Sequence, residues 1–384
     1  GKKPVYWCAT CETALAEAEV EYEDRQDASI YVKFQLSKHS VGKFSWKDAE
    51  RRRIFFIVWT TTPWTLPANV AIALHPNANY RVILVGEDEA WIIADKLLNR
   101  TLSAVGKTAN PNTPHLITGR TLLESIEYDR PFASTPGRIV FADFVSMEEG
   151  TGIVHIAPGH GQEDYLVGKE YNLEMISPVD EKGRFTKDVP RWAGRSVWDA
   201  NPEIIKELEI RGTLLKSETI THSYPHCWRC KQPVIFRATA QWFLNVDIYG
   251  LRDRLMASVK KVRWIPEGGL SRMQGMLESR PDWCLSRQRY WGTPIPVLRC
   301  VPCDEPLLDV HVLQQIEQRL AERGTDFWFT AGPGDLAPGA ACPKCGSAQL
   351  RKDTDILDVW FDSGVSCEAV LKTRRELAWP ATLY

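Results

Sequence analysis

The sequence predicts a mixed α/β fold: a β-rich unit, barrel or sandwich, inserted into a second α/β unit, with a cysteine-rich ribbon module near the C-terminal end. Three observations lead there. Short β-branched and aromatic runs separated by turn residues fill residues 25–200. Four Cys-x-x-Cys pairs flank that stretch and recur beyond it. The 384 residues exceed what one hydrophobic core usually serves. The expected divisions are 1–24, a stalk with a first cysteine knuckle; 25–200, the β-rich unit; 201–297, a return stalk with a second knuckle; 298–352, a ribbon module; and 353–384, a further segment of the second unit.

Residues 13–24 (TALAEAEVEYED) read as a short helix turning into a strand. Residues 29–36 alternate as a strand does, and 51–59 (RRRIFFIVW) form an apolar run suited to a buried strand. Short runs at 69–74, 80–86, 89–94, 137–145 and 150–158 continue the pattern. Helical spacing marks 161–172, 201–212, 251–262 and 311–324, while 233–246 and 355–364 read as strands of a different unit.

Hydrophobic content of 44% and charged content of 25% are those of an ordinary globular chain, and a net charge of −2 gives no global basic field. A nucleic-acid partner must therefore be met by local patches. The N-terminal stretch has no apolar signal core, and no apolar run approaches the roughly 18–20 residues of a membrane helix. The expected compartment is the cytoplasm, with no membrane association.

Eight of the ten cysteines form the four pairs: Cys8/Cys11, Cys227/Cys230, Cys300/Cys303 and Cys342/Cys345. Four such pairs without a secretion signal point to metal, and two pairs make one tetrahedral four-thiolate zinc site. The last two pairs are separated by 38 residues and suit one module. Cys8/Cys11 then joins Cys227/Cys230 across 215 intervening residues, and everything between becomes an insertion pinned at both ends. Both zinc sites are expected to be structural, because closed four-thiolate sites leave no open coordination position.

Within the insertion, VWTTTPWTLPAN (58–69) runs an apolar strand into three threonines and a proline-stiffened turn. If the strand continues through Thr60, Thr61 and Thr62, their side chains alternate, and at least one can face a pocket. A threonine offers a donor, an acceptor and a methyl group there. His155 sits at the end of another strand, with His160 in the loop beyond it. Asp164 lies in the first turn of a helix, where a carboxylate suits either the helix dipole or a cationic ligand. No Ser-His-Asp or Cys-His arrangement stands out. Arg280, Arg287 and Arg289 interleaved with Trp283, Tyr290 and Trp291 suit either a nucleic-acid surface or internal ion pairs.

Five motifs in fixed order resemble the bacterial-type isoleucyl-tRNA synthetases: WTTTPWTLPAN (59–69), GTGIVHIAPGHGQEDY (150–165), SYPHCWRCKQPVIFRATAQWF (223–243), RPDWCLSRQRYWGTPIP (280–296) and DVWFDSG (358–364). Thr61, Thr62, Pro63 and Trp64 look like the isoleucine branch, since the valine and leucine enzymes carry a threonine pair followed by Arg-Pro. The resemblance implies a β-barrel-like editing domain, inserted through the zinc-bound stalk into an incomplete Rossmann-type catalytic domain, plus a zinc ribbon. It implies hydrolysis of Val-tRNA(Ile) at a site using Thr60, Thr61, Thr62, His155 and Asp164, with Trp64 and Asn69 binding substrate. Trp360 and Asp362 would help line the amino-acid site of the other unit.

The nucleotide-binding HIGH-type and KMSKS-type signatures of the family do not occur in these residues, so the chain is expected to be a fragment. ATP and Mg2+ belong to the full-length enzyme, which would ligate isoleucine to tRNA(Ile) and act as a monomer. The expected partners here are tRNA(Ile), through its mischarged 3′ end, and valine as the edited amino acid. The rival readings are a zinc-ribbon module that binds tRNA without catalysis and a free-standing deacylase.

Overall fold

The computed structural model describes residues 1–43, 49–108, 115–118 and 126–383, and divides into two compact units, Lys2–Ala240 and Gly1 with Gln241–Tyr384. The strands of the first unit are β1 Lys2–Cys8, β2 Thr13–Leu15, β3 Val20–Gln35, β4 Arg53–Thr60, β5 Ala71–Leu74, β6 Asn79–Val85, β7 Glu89–Ala94, β8 His115–Thr118, β9 Glu127–Asp129, β10 Pro136–Phe141, β11 Ile153–Ile156, β12 Leu214–Cys227 and β13 Ile235–Ala240. They form a three-stranded sheet in the order β13-β1-β2, a six-stranded sheet β12-β3-β4-β7-β6-β8 and a four-stranded sheet β11-β5-β10-β9.

The ingoing β3 and the outgoing β12 pair antiparallel from Val20 opposite Cys227 to Val32 opposite Leu214. The Val20–Gln26 part of β3, rich in charge, is a largely exposed ribbon; from Ser29 the apolar residues enter the core. Of the short helix turning into a strand expected over 13–24, the strand forms and the α-helix does not. Thr13–Leu15 pairs with β1, a single 3-10 turn covers Glu17–Glu19, and β3 then begins at once. Ladder pairing on both sides outweighs the local helical preference of the alanine- and glutamate-rich stretch.

Ile54 to Val58 of β4 are all buried, because the strand lies between β3 and β7 and is covered on both faces. Phe55, Ile57, Ile83, Trp91, Ile93 and Leu102 make one core. Ala71, Ala73, Val140, Ile156 and Val167 make that of the smaller sheet. An isolated bridge between Leu36 and Tyr128 and the Ala94 N–H donated to the Thr151 carbonyl link the two sheets.

The turn into β11 depends on Gly152. Its φ is +74°, an added Cβ would collide with that of Ala94, and its carbonyl accepts from the Tyr80 hydroxyl at 2.9 Å.

In the second unit, the strands Pro306–Leu307, Leu298–Cys300 and Leu350–Lys352 form a small sheet, with Leu298–Cys300 in the middle. The helix Val310–Arg323 packs beside it, and Leu298, Leu307, Ile316, Trp328 and Leu336 supply the core. The expected strand over 355–364 is mostly helix. Only Ile356–Leu357 pairs, and Val359–Gly364 is helical, capped by the Asp358 side chain accepting from Trp360 N. No helix among the described residues is long and apolar enough to cross a membrane.

Gly152→Ala forces a left-handed alanine into contact with Ala94 and is expected to cost about 1–3 kcal/mol in urea unfolding. Gly42→Ala, where a Cβ meets open space, is expected to stay within about 0.5 kcal/mol of the parent.

Candidate active site and metal centres

β4 carries Thr60 to the site and stops there. The chain bends at Thr61, and a 3-10 helix, Pro63–Ala68, begins with Thr62 as its N-cap. Pro63 supplies a preset φ and no N–H, so the strand ladder cannot continue as expected through Thr62. The result is a threonine cluster rather than an alternating row. Thr62 N donates to Thr60 Oγ1 at 3.1 Å, and the two hydroxyls lie 3.3 Å apart.

Thr65, which the sequence analysis did not single out, completes the cluster. Residues three apart eclipse in 3-10 geometry, which stacks Thr65 beneath Thr62. Its hydroxyl donates to the Thr62 carbonyl at 2.8 Å, lies 3.4 Å from Thr62 Oγ1 and 2.9 Å from His155 Nε2. Thr60, Thr62, Thr65 and His155 thus share one network that spans β4, the 3-10 helix and β11. The signal for Thr65 was its spacing from Thr62, legible only once the helix type is known.

His155 and His160 are both buried, and burial pushes each imidazole down to about 4; His160 adds to the effect on His155, and Arg237 to that on His160. His160 Nδ1 lies 2.9 Å from the Phe236 carbonyl, and its ring meets the buried Trp64 edge-on, with centroids 4.9 Å apart. Ala238 N donates to the Gly159 carbonyl at 2.9 Å, so the loop after β11 is held by β13.

Asp164 sits in the first turn of the helix Gln162–Glu170 and accepts from Ala157 N at 2.7 Å, just past the end of β11. Burial raises its carboxyl to about 6, against the pull of that N–H. The folded chain therefore holds this proton more tightly than the unfolded one, and the group's contribution to stability falls as pH rises from about 4 to about 6. The two histidines act in the opposite sense, losing stability as pH drops from 6.5 toward 4. Neighbouring Glu163 is exposed.

Asn69 has both ends of its amide engaged inside the fold: Nδ2 donates to Ala71 O at 2.8 Å and Oδ1 accepts from the buried Tyr128 hydroxyl at 2.6 Å. Trp360 and Asp362 belong to the other unit, on the short helix after Asp358, with Trp360 about half exposed. There the fully buried Asp358 carboxylate accepts from Arg287 Nη2 and Trp283 Nε1, both at 2.8 Å. Arg287 and Trp283 are therefore internal ties rather than a nucleic-acid surface, whereas Tyr290 and Trp291 are exposed.

The eight paired cysteines meet in two clusters, Cys8, Cys11, Cys227 and Cys230, and Cys300, Cys303, Cys342 and Cys345; within each, the sulfurs lie within 4.8 Å of one another. Sulfur separations of 3.4 Å for Cys8–Cys230 and Cys300–Cys345, and 3.6 Å for Cys303–Cys342, exclude disulfides. They suit thiolates on a tetrahedral zinc, which at about 2.3 Å per bond stand about 3.8 Å apart. In every knuckle the fourth residue after the first cysteine is left-handed: Glu12, Lys231, Asp304 and Gly346, at φ 51°, 59°, 57° and 71°. In three of them its N–H closes the turn on the first cysteine's carbonyl at 2.8–2.9 Å. Gly346 thus serves the turn, its amide pointing to a carbonyl and not to a thiolate. Three non-glycine residues in this conformation are strained, and a bound ion would supply the over-determination that holds them.

Metal analysis of the purified chain is expected to return two zinc ions. Cys11→Ser and Cys345→Ser should each remove one, with the far-ultraviolet spectrum of the untouched module retained; one ion or none in the parent would contradict the pairing.

A sequence-family profile described as tRNA synthetases class I (I, L, M and V) matches residues 1–384. The chain is 49% identical to the isoleucine–tRNA ligase of Kosmotoga olearia and 48% identical to that of Thermotoga maritima, each over 385 aligned residues covering 100% of this chain and 40% of the relative. It thus spans about two fifths of the length of those relatives. A solved structure described as GlLeuRS-CP1 aligns with 50% of this chain and 98% of its own, at a TM-score of 0.40 and 16% identity. With the profile matched from end to end, the chain belongs to the class I tRNA synthetases of the isoleucine, leucine, methionine and valine group.

Proposed function

We propose that the unit Lys2–Ala240 is an editing hydrolase that deacylates Val-tRNA(Ile), as part of a cytoplasmic, monomeric isoleucine–tRNA ligase. That enzyme joins isoleucine to tRNA(Ile) using ATP and Mg2+. The observation that carries the reading is the network of Thr60, Thr62, Thr65 and His155, with the carboxylate of Asp164 bonded to the backbone just past the end of β11, the strand that carries His155. One methylene is worth only about 1–3 kcal/mol of discrimination, so a synthetic site alone admits valine and a second, hydrolytic site is needed. Isoleucine against valine is itself the standard illustration of that limit.

In this reading Asp164 receives the α-ammonium of the aminoacyl ester through a charge-assisted hydrogen bond. Thr60, Thr61 and Thr62 hold the ester end and the attacking water, and hydroxyls with backbone amides stabilise the oxyanion. In this reading Thr65 positions the network and is not the nucleophile, its hydroxyl lying 2.8 Å from the Thr62 carbonyl. Water attacks directly, without a covalent enzyme intermediate; assistance by the terminal ribose hydroxyl is an analogy with the family. Asn69, Trp64 and His160 shape the walls. Both four-cysteine clusters hold structural zinc, and Trp360 and Asp362 serve the amino-acid site of the complete enzyme.

The purified chain is expected to release valine from Val-tRNA(Ile) and to spare Ile-tRNA(Ile). Binding of tRNA with no release above background would sink the hydrolase reading. Asp164→Ala is expected to slow release at least about 100-fold, while Cys342→Ala, in the other unit, leaves it near the parent rate. After subtraction of uncatalysed hydrolysis, kcat/KM should climb between pH 5 and 7 with an apparent pKa near 6, as the Asp164 carboxylate forms in the free chain. Asp164→Asn should abolish that climb, and a retained climb would remove Asp164 from its role.

A further inference from the structure

We infer that Thr65 is a positioning residue that fixes His155 in its Nε2–H tautomer, so that the ring's only proton is committed to the threonine turn. The argument is a proton count. Thr65 has one hydroxyl proton, and its oxygen lies 2.8 Å from the Thr62 carbonyl and 2.9 Å from His155 Nε2. His155 Nδ1 is buried and has no hydrogen-bond partner among the described residues.

If Nε2 carries the ring proton, Thr65 donates to the Thr62 carbonyl and accepts from His155, and both contacts are hydrogen bonds. What remains unmatched is a lone pair on Nδ1. If Nδ1 carries the proton instead, Thr65 must turn its hydrogen from the Thr62 carbonyl to Nε2. One bond is lost, and a buried N–H is left without an acceptor. Orphaned buried donors are the rarer and costlier defect, so both counts favour the first tautomer.

Burial keeps the ring neutral near pH 7, so no second proton reopens the choice. Thr65 is 5% exposed and His155 6%, which shields the pair from water that could otherwise substitute for either partner. The bond also crosses 90 residues of sequence, tying the threonine turn to β11. With Nδ1 buried, the ring's one hydrogen bond is spent on the threonine turn, which sets its orientation within the network. A ring so committed has no N–H to spare for an oxyanion, which leaves oxyanion stabilisation to the threonine hydroxyls and backbone amides of the proposed site.

The kinetic arm of the test rests on the proposed hydrolase function; the spectroscopic arm does not. Two-bond proton–nitrogen correlation spectra of histidine-labelled chain at pH 7 distinguish the tautomers, with the His155 signal assigned by its loss in His155→Asn. The parent and Thr65→Ser are expected to show the Nε2–H pattern alone. Thr65→Val, which keeps the branched shape and removes the hydroxyl, should show a mixture or the Nδ1–H form. Valine release should fall about 10- to 100-fold in Thr65→Val and recover in Thr65→Ser. An Nδ1–H pattern in the parent, an unchanged pattern in Thr65→Val, or a changed pattern with an unchanged rate would each overturn the inference. If the parent releases no valine, the hydrolase function fails while the spectra still decide the tautomer.

Discussion

The closure of the chain on itself at one four-cysteine cluster is the constraint on which the first unit depends. Cys8 and Cys11 meet Cys227 and Cys230 across 215 residues, and the same closure sets β3 against β12 from Val20 opposite Cys227 onward. A metal ion held there would cross-link a loop of that length and remove on the order of 5 kcal/mol of chain entropy from the unfolded state. The cluster sits on a small apolar base of Leu15 and Val234 and fixes the sheet of β1, β2 and β13. β13 in turn holds Gly159 and His160, and His160 abuts Trp64 in the threonine turn. The four-cysteine cluster and the threonine–histidine network are thus joined by a short run of named contacts.

That chain of dependence was only partly legible in the sequence. The pairing of the cysteines was, because Cys-x-x-Cys spacing and the four-thiolate requirement of zinc leave few arrangements. β4 was legible as an unbroken apolar run, and the helices around 162–170, 201–210 and 311–323 by their spacing. The short helix expected to lead into the strand within 13–24 was not there, because β1, just upstream, and β12, far along the chain, claimed the backbone groups on either side of Glu17–Glu19. The helical form of 359–364 was hidden for the converse reason: Asp358, buried against Arg287 and Trp283, caps it from a position that reads locally as strand.

The site shows the same division. Thr60, Thr62, His155 and Asp164 stood out as residue types at strand and helix ends. The connection of the two threonines to His155 did not, since it runs through Thr65, one of four threonines within six positions and without a signal of its own until Pro63 is known to start a 3-10 helix. The electrostatics follow from placement too. The same burial that keeps His155 neutral raises Asp164 toward the range where it titrates, so dryness disfavours charge on both before a ligand arrives. A cationic amine brought to Asp164 would restore the carboxylate and gain from the low dielectric.

The most direct measurement is a crystal structure of the chain with a non-hydrolysable mimic of the mischarged end, 3′-deoxyadenosine carrying an amide-linked valyl group at the 3′ position. The α-ammonium should lie within hydrogen-bond distance of Asp164, with the valyl side chain against the wall made by Thr60, Thr62 and His155. A mimic bound away from β11, or one whose ammonium is held by other groups while Asp164 keeps only its Ala157 N–H, would contradict the assignment of this site.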